Sequence, residues 1–108
     1  MDQLEKIRHI FTQSLPLFNA LGDPIRQQLI LLMLDGSRKS VAELAAQTDL
    51  SRPTISHHLK ILKDAHIVTS QKVGRKIYYR PTMGRYFTSV AELAVTVDEL
   101  GAEKGNKQ

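Results

Sequence analysis

Residues 51–80, SRPTISHHLKILKDAHIVTSQKVGRKIYYR, decide the fold. Ser51 can accept a hydrogen bond from an orphan N–H as N-cap, and Pro53 in the first turn loses no intrahelical bond. A helix therefore opens here and runs to Ala65. Within it Ile55, Leu59 and Leu62 recur at spacings of 4 and 3 and define a buried stripe. At about 100° per residue, Pro53, His57, Lys60 and Asp64 fall on the opposite side, with Thr54 and Ser56 flanking them. That outer face is polar and mostly short. Short polar groups with Arg, Lys and His on the N-terminal half of a helix suit the base edges and phosphates of a major groove. The plainer reading is the solvated face of an ordinary helix.

The segment behind the helix favours the groove-facing reading. Ile67 to Val73 and Lys76 to Arg80 are β-rich runs joined through Gly74 and Arg75, where glycine supplies the positive φ of a tight hairpin. From Ser51 to Arg80 the basic residues are Arg52, Lys60, Lys63, Lys72, Arg75, Lys76 and Arg80, against Asp64 as the one acid. The segment carries a net +6 in a chain of net +4, so the remainder carries −2. Charge concentrated in this way marks a phosphate footprint rather than general solubility.

Length and composition set the frame. At 108 residues the chain reads as one domain, about 1–100, with a flexible tail over 101–108. Without cysteine it has no disulfide framework, thiolate metal site or thiol switch. No charged-then-apolar signal segment comes after Met1, and the apolar run from Leu29 to Leu34 is far shorter than the roughly 20 residues of a membrane span. The expectation is a soluble cytoplasmic protein with no membrane partner and no cofactor.

Upstream, Leu4, Ile7, Phe11 and Leu15 recur at 3, 4 and 4 and predict an amphipathic helix over about 2–15. His9 reads as a surface residue of that helix. Pro16 ends it or starts the next, and Leu17, Phe18, Ala20 and Leu21 form an apolar turn closed by Gly22. Asp23 caps a further helix with Pro24 at its first position, with Ile25, Leu29, Leu32 and Met33 inward. Arg26 on its polar side can touch a phosphate or pair with Asp23. Ser40 and Glu43 form an S-x-x-E capping box, each side chain placed to satisfy the other's backbone donor. The short helix they open leads through a turn at Asp49 and Leu50 into the Ser51 helix. Two helices joined by a short turn, the second polar-faced, make a helix-turn-helix over about 41–65, and the hairpin over about 67–80 makes it winged.

Four stretches together, Ala20-Leu21-Gly22-Asp23-Pro24-Ile25-Arg26, Val41-Ala42-Glu43-Leu44-Ala45, Ser51 through Leu62, and Gly74-Arg75-Lys76-Ile77-Tyr78-Tyr79, resemble the ArsR-type winged-helix repressors, the arsenical-resistance regulator family. The resemblance implies a mainly α winged helix-turn-helix with a small β-hairpin wing. It also implies a bacterial homodimer that represses by binding an inverted-repeat operator in double-stranded DNA, with the recognition helix in the major groove and the wing along the backbone. Ser51, Arg52, Thr54, Ser56, His57 and Lys60 of the helix and Arg75 and Lys76 of the wing are the expected DNA-binding residues. In many members a ligand, often a metal ion, releases the DNA. Two departures stand out. His66 sits where the family usually has glycine after the helix, so it reads as a strained C-cap. The family's metal sites use cysteines, or an Asp/His set in the last helix, whereas Val41 to Thr48 lacks cysteine and the last helix lacks histidine. No metal site is expected, although His9 and a carboxylate of the last helix could meet between two copies; either a small organic molecule lodges between the first and last helices as the unknown inducer, or the repressor is regulated by its own concentration.

The last helix, about 83–100, carries Phe87, Val90, Leu93, Ala94, Val97 and Leu100 as one apolar stripe. A domain this small fills its core from the preceding helices, so a second stripe calls for a second copy, with Leu4, Ile7 and Phe11 alongside. Catalysis is not expected. Ser56 and His57 diverge by about 100° with no carboxylate to orient the imidazole, and no Gly-rich phosphate loop occurs. The competing reading is a winged-helix module that binds protein, which Arg52, His57 and Lys60 on the outer face argue against.

Overall fold

The computed structural model describes residues 2–105. Its elements run α1 (Gln3–Leu21), α2 (Pro24–Leu32), β1 (Lys39–Ser40), α3 (Val41–Ala46), α4 (Arg52–Asp64), β2 (Val68–Val73), β3 (Lys76–Pro81) and α5 (Gly84–Gly105). Two compact units result. One spans Leu17–Met83; the other holds the flanking segments through Pro16 and from Gly84 onward.

In the first unit, the caps read from the sequence set the helix starts. Asp23 is extended, and its carboxylate accepts from the amides of Ile25 (2.8 Å) and Arg26 (3.1 Å), opening α2. Ser40 accepts from the Glu43 amide at 3.2 Å and opens α3. The reciprocal half of that capping box differs from expectation. Glu43 accepts from the Ser40 hydroxyl at 3.1 Å, while the Ser40 backbone belongs to β1 opposite Tyr78. Thr48 closes the helix-turn-helix turn, donating to the Leu44 carbonyl (2.9 Å) and accepting from the Leu50 amide (3.2 Å). Leu29, Met33, Leu44, Ile55, Leu59, Leu62, Ile67 and Val68 are the buried core of the unit.

The end of α4 bears out the strained cap. His66 has φ +61°, its amide donates to the Lys63 carbonyl (3.0 Å), and the Ile67 amide donates to that of Leu62 (2.9 Å). This pair of returning bonds is a Schellman motif, with Leu62 and Ile67 fully buried at its hydrophobic positions. The wing pairs β2 with β3 in the register Val68↔Pro81 through Val73↔Lys76, leaving Gly74 and Arg75 as a two-residue turn. Gly74 has φ +63° at the first central position, as a type II′ turn requires. A third strand, β1, adds to β3 through Lys39↔Tyr79 and Ser40↔Tyr78, giving the order β1-β3-β2. Two residues paired with a partner some 40 positions away carry no local signal, and the sequence reading places no strand there.

Two boundaries are corrected. Pro16 neither ends α1 nor starts another helix; it lies inside, and the segment read as an apolar turn is the last part of α1. Proline in a helix interior costs about 3 kcal/mol. Burial of Leu17 and Ala20 and side-chain donors on the last three carbonyls of α1 offset that: Arg26 reaches those of Asn19 and Ala20, and Gln27 that of Leu21. The last helix does not stop at Leu100 but continues to Gly105, so 101–105 is helix rather than tail. Ala102 and Glu103 are strong helix formers and outweigh Gly101. Residues 106–108, the rest of the expected tail, lie outside the described residues.

In the second unit, Lys6 of α1 pairs with Glu92 of α5 at 2.5 Å. The apolar stripe expected on α5 divides. Leu93 and Leu100 are half-buried alongside buried Tyr86 and Thr96, while Phe87, Val90, Ala94 and Val97 face water. On α1, Ile7 is half-buried, and Leu4 and Phe11 are exposed with Leu15.

Candidate nucleic-acid interface

The exposed side of α4 carries what the sequence placed there. Ser51 caps the helix, accepting from the Thr54 amide at 3.3 Å, and its hydroxyl donates to Thr54 Oγ1 at 2.9 Å. Thr54 is accordingly half-buried and committed in part to the cap. Arg52, Ser56, His57 and Lys60 are exposed. Lys60 lies 3.0 Å from Asp64, one turn on, an exposed surface pair of the kind worth about 0–1 kcal/mol, so the ammonium stays available to a phosphate. Arg75 and Lys76 are exposed at the wing turn.

A cavity of about 390 Å³ joins these parts. Arg52 and Ser56 of α4 face Arg75, Lys76, Ile77 and Tyr79 of the wing across it, and Ser40, Val41 and Ala42 at the start of α3 close its third side. Three cations around a partly apolar floor suit a sugar–phosphate strand, with the guanidinium groups on phosphate oxygens and the floor against deoxyribose. Ser40 to Ala42 and the inner strand residues Ile77 and Tyr79 were not among the residues expected from sequence. The placement of Ser40 to Ala42 depends on the β1–β3 pairing, which no periodicity announces.

Neighbouring contacts hold this surface in place. The Arg38 guanidinium lies over the Tyr78 ring, 5.5 Å from its centre, and donates to Gln71, the cross-strand partner of Tyr78. Lys39, itself buried, donates to Asp35 (2.8 Å) and Ser37 (2.9 Å), fixing the loop that leads into β1. The Lys39 ammonium, then the hydroxyl and amide of Ser37, hold the Asp35 carboxyl well below the usual carboxylate range. At the start of α2, the Arg26 amide above all holds the Asp23 carboxyl below its ordinary value; burial opposes it, and the Ile25 amide and Arg26 charge add to the lowering.

The cysteine ligands used by the family's metal sites are missing, and no ligand set gathers among the described residues of the single chain. There is no cysteine for a soft ion. Among the described residues no group of three or more His, Asp or Glu gathers as a metal site. His9 and His57 are exposed on separate helices, His58 is buried beside Arg26, and His66 forms the helix cap.

Comparison with known proteins bears on the same region. Residues 23–70 match the family model described as "Bacterial regulatory protein, arsR family". The chain is 40% identical over 62 residues to the transcriptional repressor SdpR of Bacillus subtilis (strain 168), covering 57% of this chain and 68% of that protein. An ArsR-like transcriptional regulator from Rhodococcus sp. RHA1 superposes with a TM-score of 0.71 at 30% identity, over 90% of this chain and 84% of that one. The homodimeric winged helix-turn-helix DNA-binding domain of Mb0332 from Mycobacterium bovis, described as a possible ArsR-family regulator, matches with a TM-score of 0.65 at 25% identity, over 85% and 84% of the two chains.

Proposed function

Because this chain belongs to the ArsR family of winged helix-turn-helix transcriptional regulators, a family of DNA-binding regulators and not of enzymes, we propose that it is a homodimeric repressor acting on an inverted-repeat operator. The observation that carries this reading is the meeting of Arg52 and Ser56 with Arg75 and Lys76 around one cavity, so that the helix facing the bases and the wing facing the phosphates form a single surface. In this assignment Ser56 and His57 reach base edges, Thr54 contributes from the flank, and Ser51, Arg52, Lys60, Arg75 and Lys76 hold the backbone. The dimer forms through Leu4 and Phe11 of α1 and Phe87, Val90, Ala94 and Val97 of α5, with Ile7, Leu93 and Leu100 at the edge of the seam. The homodimeric Mb0332 domain supports that assembly. Two recognition helices on one side of a duplex then place half-sites about one helical turn apart.

Regulation proceeds without the family's metal sites. The cytoplasmic repressor responds to a small organic molecule or to its own concentration. Selection of bound duplexes from a random-sequence pool tests the reading: it should return an inverted repeat, bound with a steep loss of affinity as salt rises. Recovery of no preferred duplex, or a flat salt dependence, contradicts it and favours a protein-binding module. Zinc titration tests the regulatory part. Stoichiometric binding that lowers DNA affinity tenfold, a coupling of about 1.4 kcal/mol, would overturn it and point to His9 at the seam between copies.

A further inference from the structure

The sequence left Arg26 with two uses, a phosphate contact or an ion pair with Asp23. The structure points elsewhere. The Arg26 side chain is 14% exposed. Its Nε donates to the Ala20 carbonyl at 2.7 Å and its Nη2 to that of Asn19 at 3.1 Å, so two edges of the guanidinium are anchored on the last turn of α1. Its Nη1 lies 3.4 Å from Nδ1 of His58 and 3.9 Å from the Asp23 carboxylate. A guanidinium is always charged and only donates, so in a hydrogen bond between the two Nδ1 of His58 is the acceptor.

We infer that Arg26 is a positioning residue for sequence readout, which sets the rotation of α4 through His58 and does not itself touch DNA. This rests on the repressor reading above. The stripe of Ile55, Leu59 and Leu62 decides which side of α4 faces the core, but apolar contacts are non-directional and tolerate a roll about the helix axis. The contact from a planar donor tied to two main-chain carbonyls does not. His58 lies next to His57 in sequence, and their rings meet edge to face with centres 5.4 Å apart, so a roll of α4 carries both. With side chains reaching about 5–6 Å from the helix axis, a 20° roll moves their tips by about 2 Å. That is enough to break hydrogen bonds from Ser56 and His57 to base edges, whose distances vary by only a few tenths of an ångström. Long, flexible cations on phosphates adapt to the same movement without loss. The signature of this role is therefore a loss of specific binding with non-specific binding and its salt dependence left intact.

The experiment measures affinity for the duplex that the unmodified protein selects and for a scrambled duplex, across a range of salt, with the thermal melt of each variant alongside. His58→Gln keeps an acceptor and should stay within about threefold of the parent on both duplexes. His58→Leu keeps the bulk but not the acceptor, and should lose tenfold or more on the selected duplex and less than threefold on the scrambled one. Arg26→Lys should reproduce the His58→Leu pattern, and the double variant should lose no more than either alone, a result that a merely structural role at two sites would not give. Full selectivity in folded His58→Leu or Arg26→Lys overturns the inference. So does His58→Gln losing as much as His58→Leu, or a salt slope lowered by about 0.9 in Arg26→Gln, a variant that removes the charge which Arg26→Lys keeps, since that would make Arg26 a phosphate contact. A parent protein that selects no duplex overturns the repressor reading instead, and this one with it.

Discussion

Helix α4, proposed to face DNA, and the terminal helix α5 are both amphipathic, yet they leave opposite kinds of residue in water. On α4, Ile55, Leu59 and Leu62 are fully buried, and the exposed side is short, polar and cationic. On α5, Thr96 and Tyr86 are buried, while Phe87 is 76% and Val97 47% exposed, with Val90 beside them. The first part of α1 behaves like α5, with Leu4, Phe11 and Leu15 all more than half exposed. A helix that exposes its polar face has completed its packing within one chain. Helices that expose an apolar stripe have not, because leaving side chains of that size in water forgoes about 1.5–3 kcal/mol each. The difference separates the surface proposed to read DNA from the surface proposed to complete itself on a second copy.

The largest expected effect attacks the second surface. Aspartates at Val90 and Val97 would bury charge in the seam at a cost of several kcal/mol, so the double variant should sediment as a monomer and lose at least a hundredfold in affinity for the selected duplex. A double variant that still dimerises places the seam elsewhere. Next come the residues proposed to face the bases. Ser56→Ala or His57→Ala should each cost about 1–3 kcal/mol on the selected duplex and little on a scrambled one. Equal losses on both would remove that residue from the readout. Arg75→Ala with Lys76→Ala should weaken binding to all sequences alike and lower the log–log salt slope by about 1.8, since each lost phosphate contact removes about 0.9. An unchanged slope would take the wing turn off the backbone.

The smallest effect concerns stability. His66 is in the left-handed region, a conformation that costs a non-glycine residue about 1–2 kcal/mol. After allowing for the greater chain entropy of glycine, His66→Gly should stabilise the fold by about 1 kcal/mol, raising Tm by a few degrees with DNA affinity unchanged. A drop in Tm would mean that the histidine ring contributes more than its backbone costs.

Legibility tracked the locality of the signals. Asp23, Ser40 and Ser51 announce their helices because a cap acts within three residues, and Gly74 announces the wing turn because the required φ belongs to that residue alone. His66 was legible for the same reason. Strand β1 was not, since its partners Tyr78 and Tyr79 lie far along the chain, and with it the third wall of the cavity escaped notice. Pro16 misled because its local cost was outweighed by Arg26 and Gln27, side chains beyond the end of the helix they stabilise. The inward turn of His58 has a sequence signal, its place next to Leu59 and three residues after Ile55, but the polarity of its neighbours concealed it. Its role needed the position of Arg26.

In the proposed repressor, one chain supplies a finished reading surface and an unfinished pairing surface. Sedimentation of the unmodified protein at micromolar concentration, alone and with the duplex it selects, tests this most directly. Two chains should travel together in both samples, with one such pair on each inverted repeat. A chain that sediments as a monomer and occupies the duplex singly, at full affinity, would contradict it.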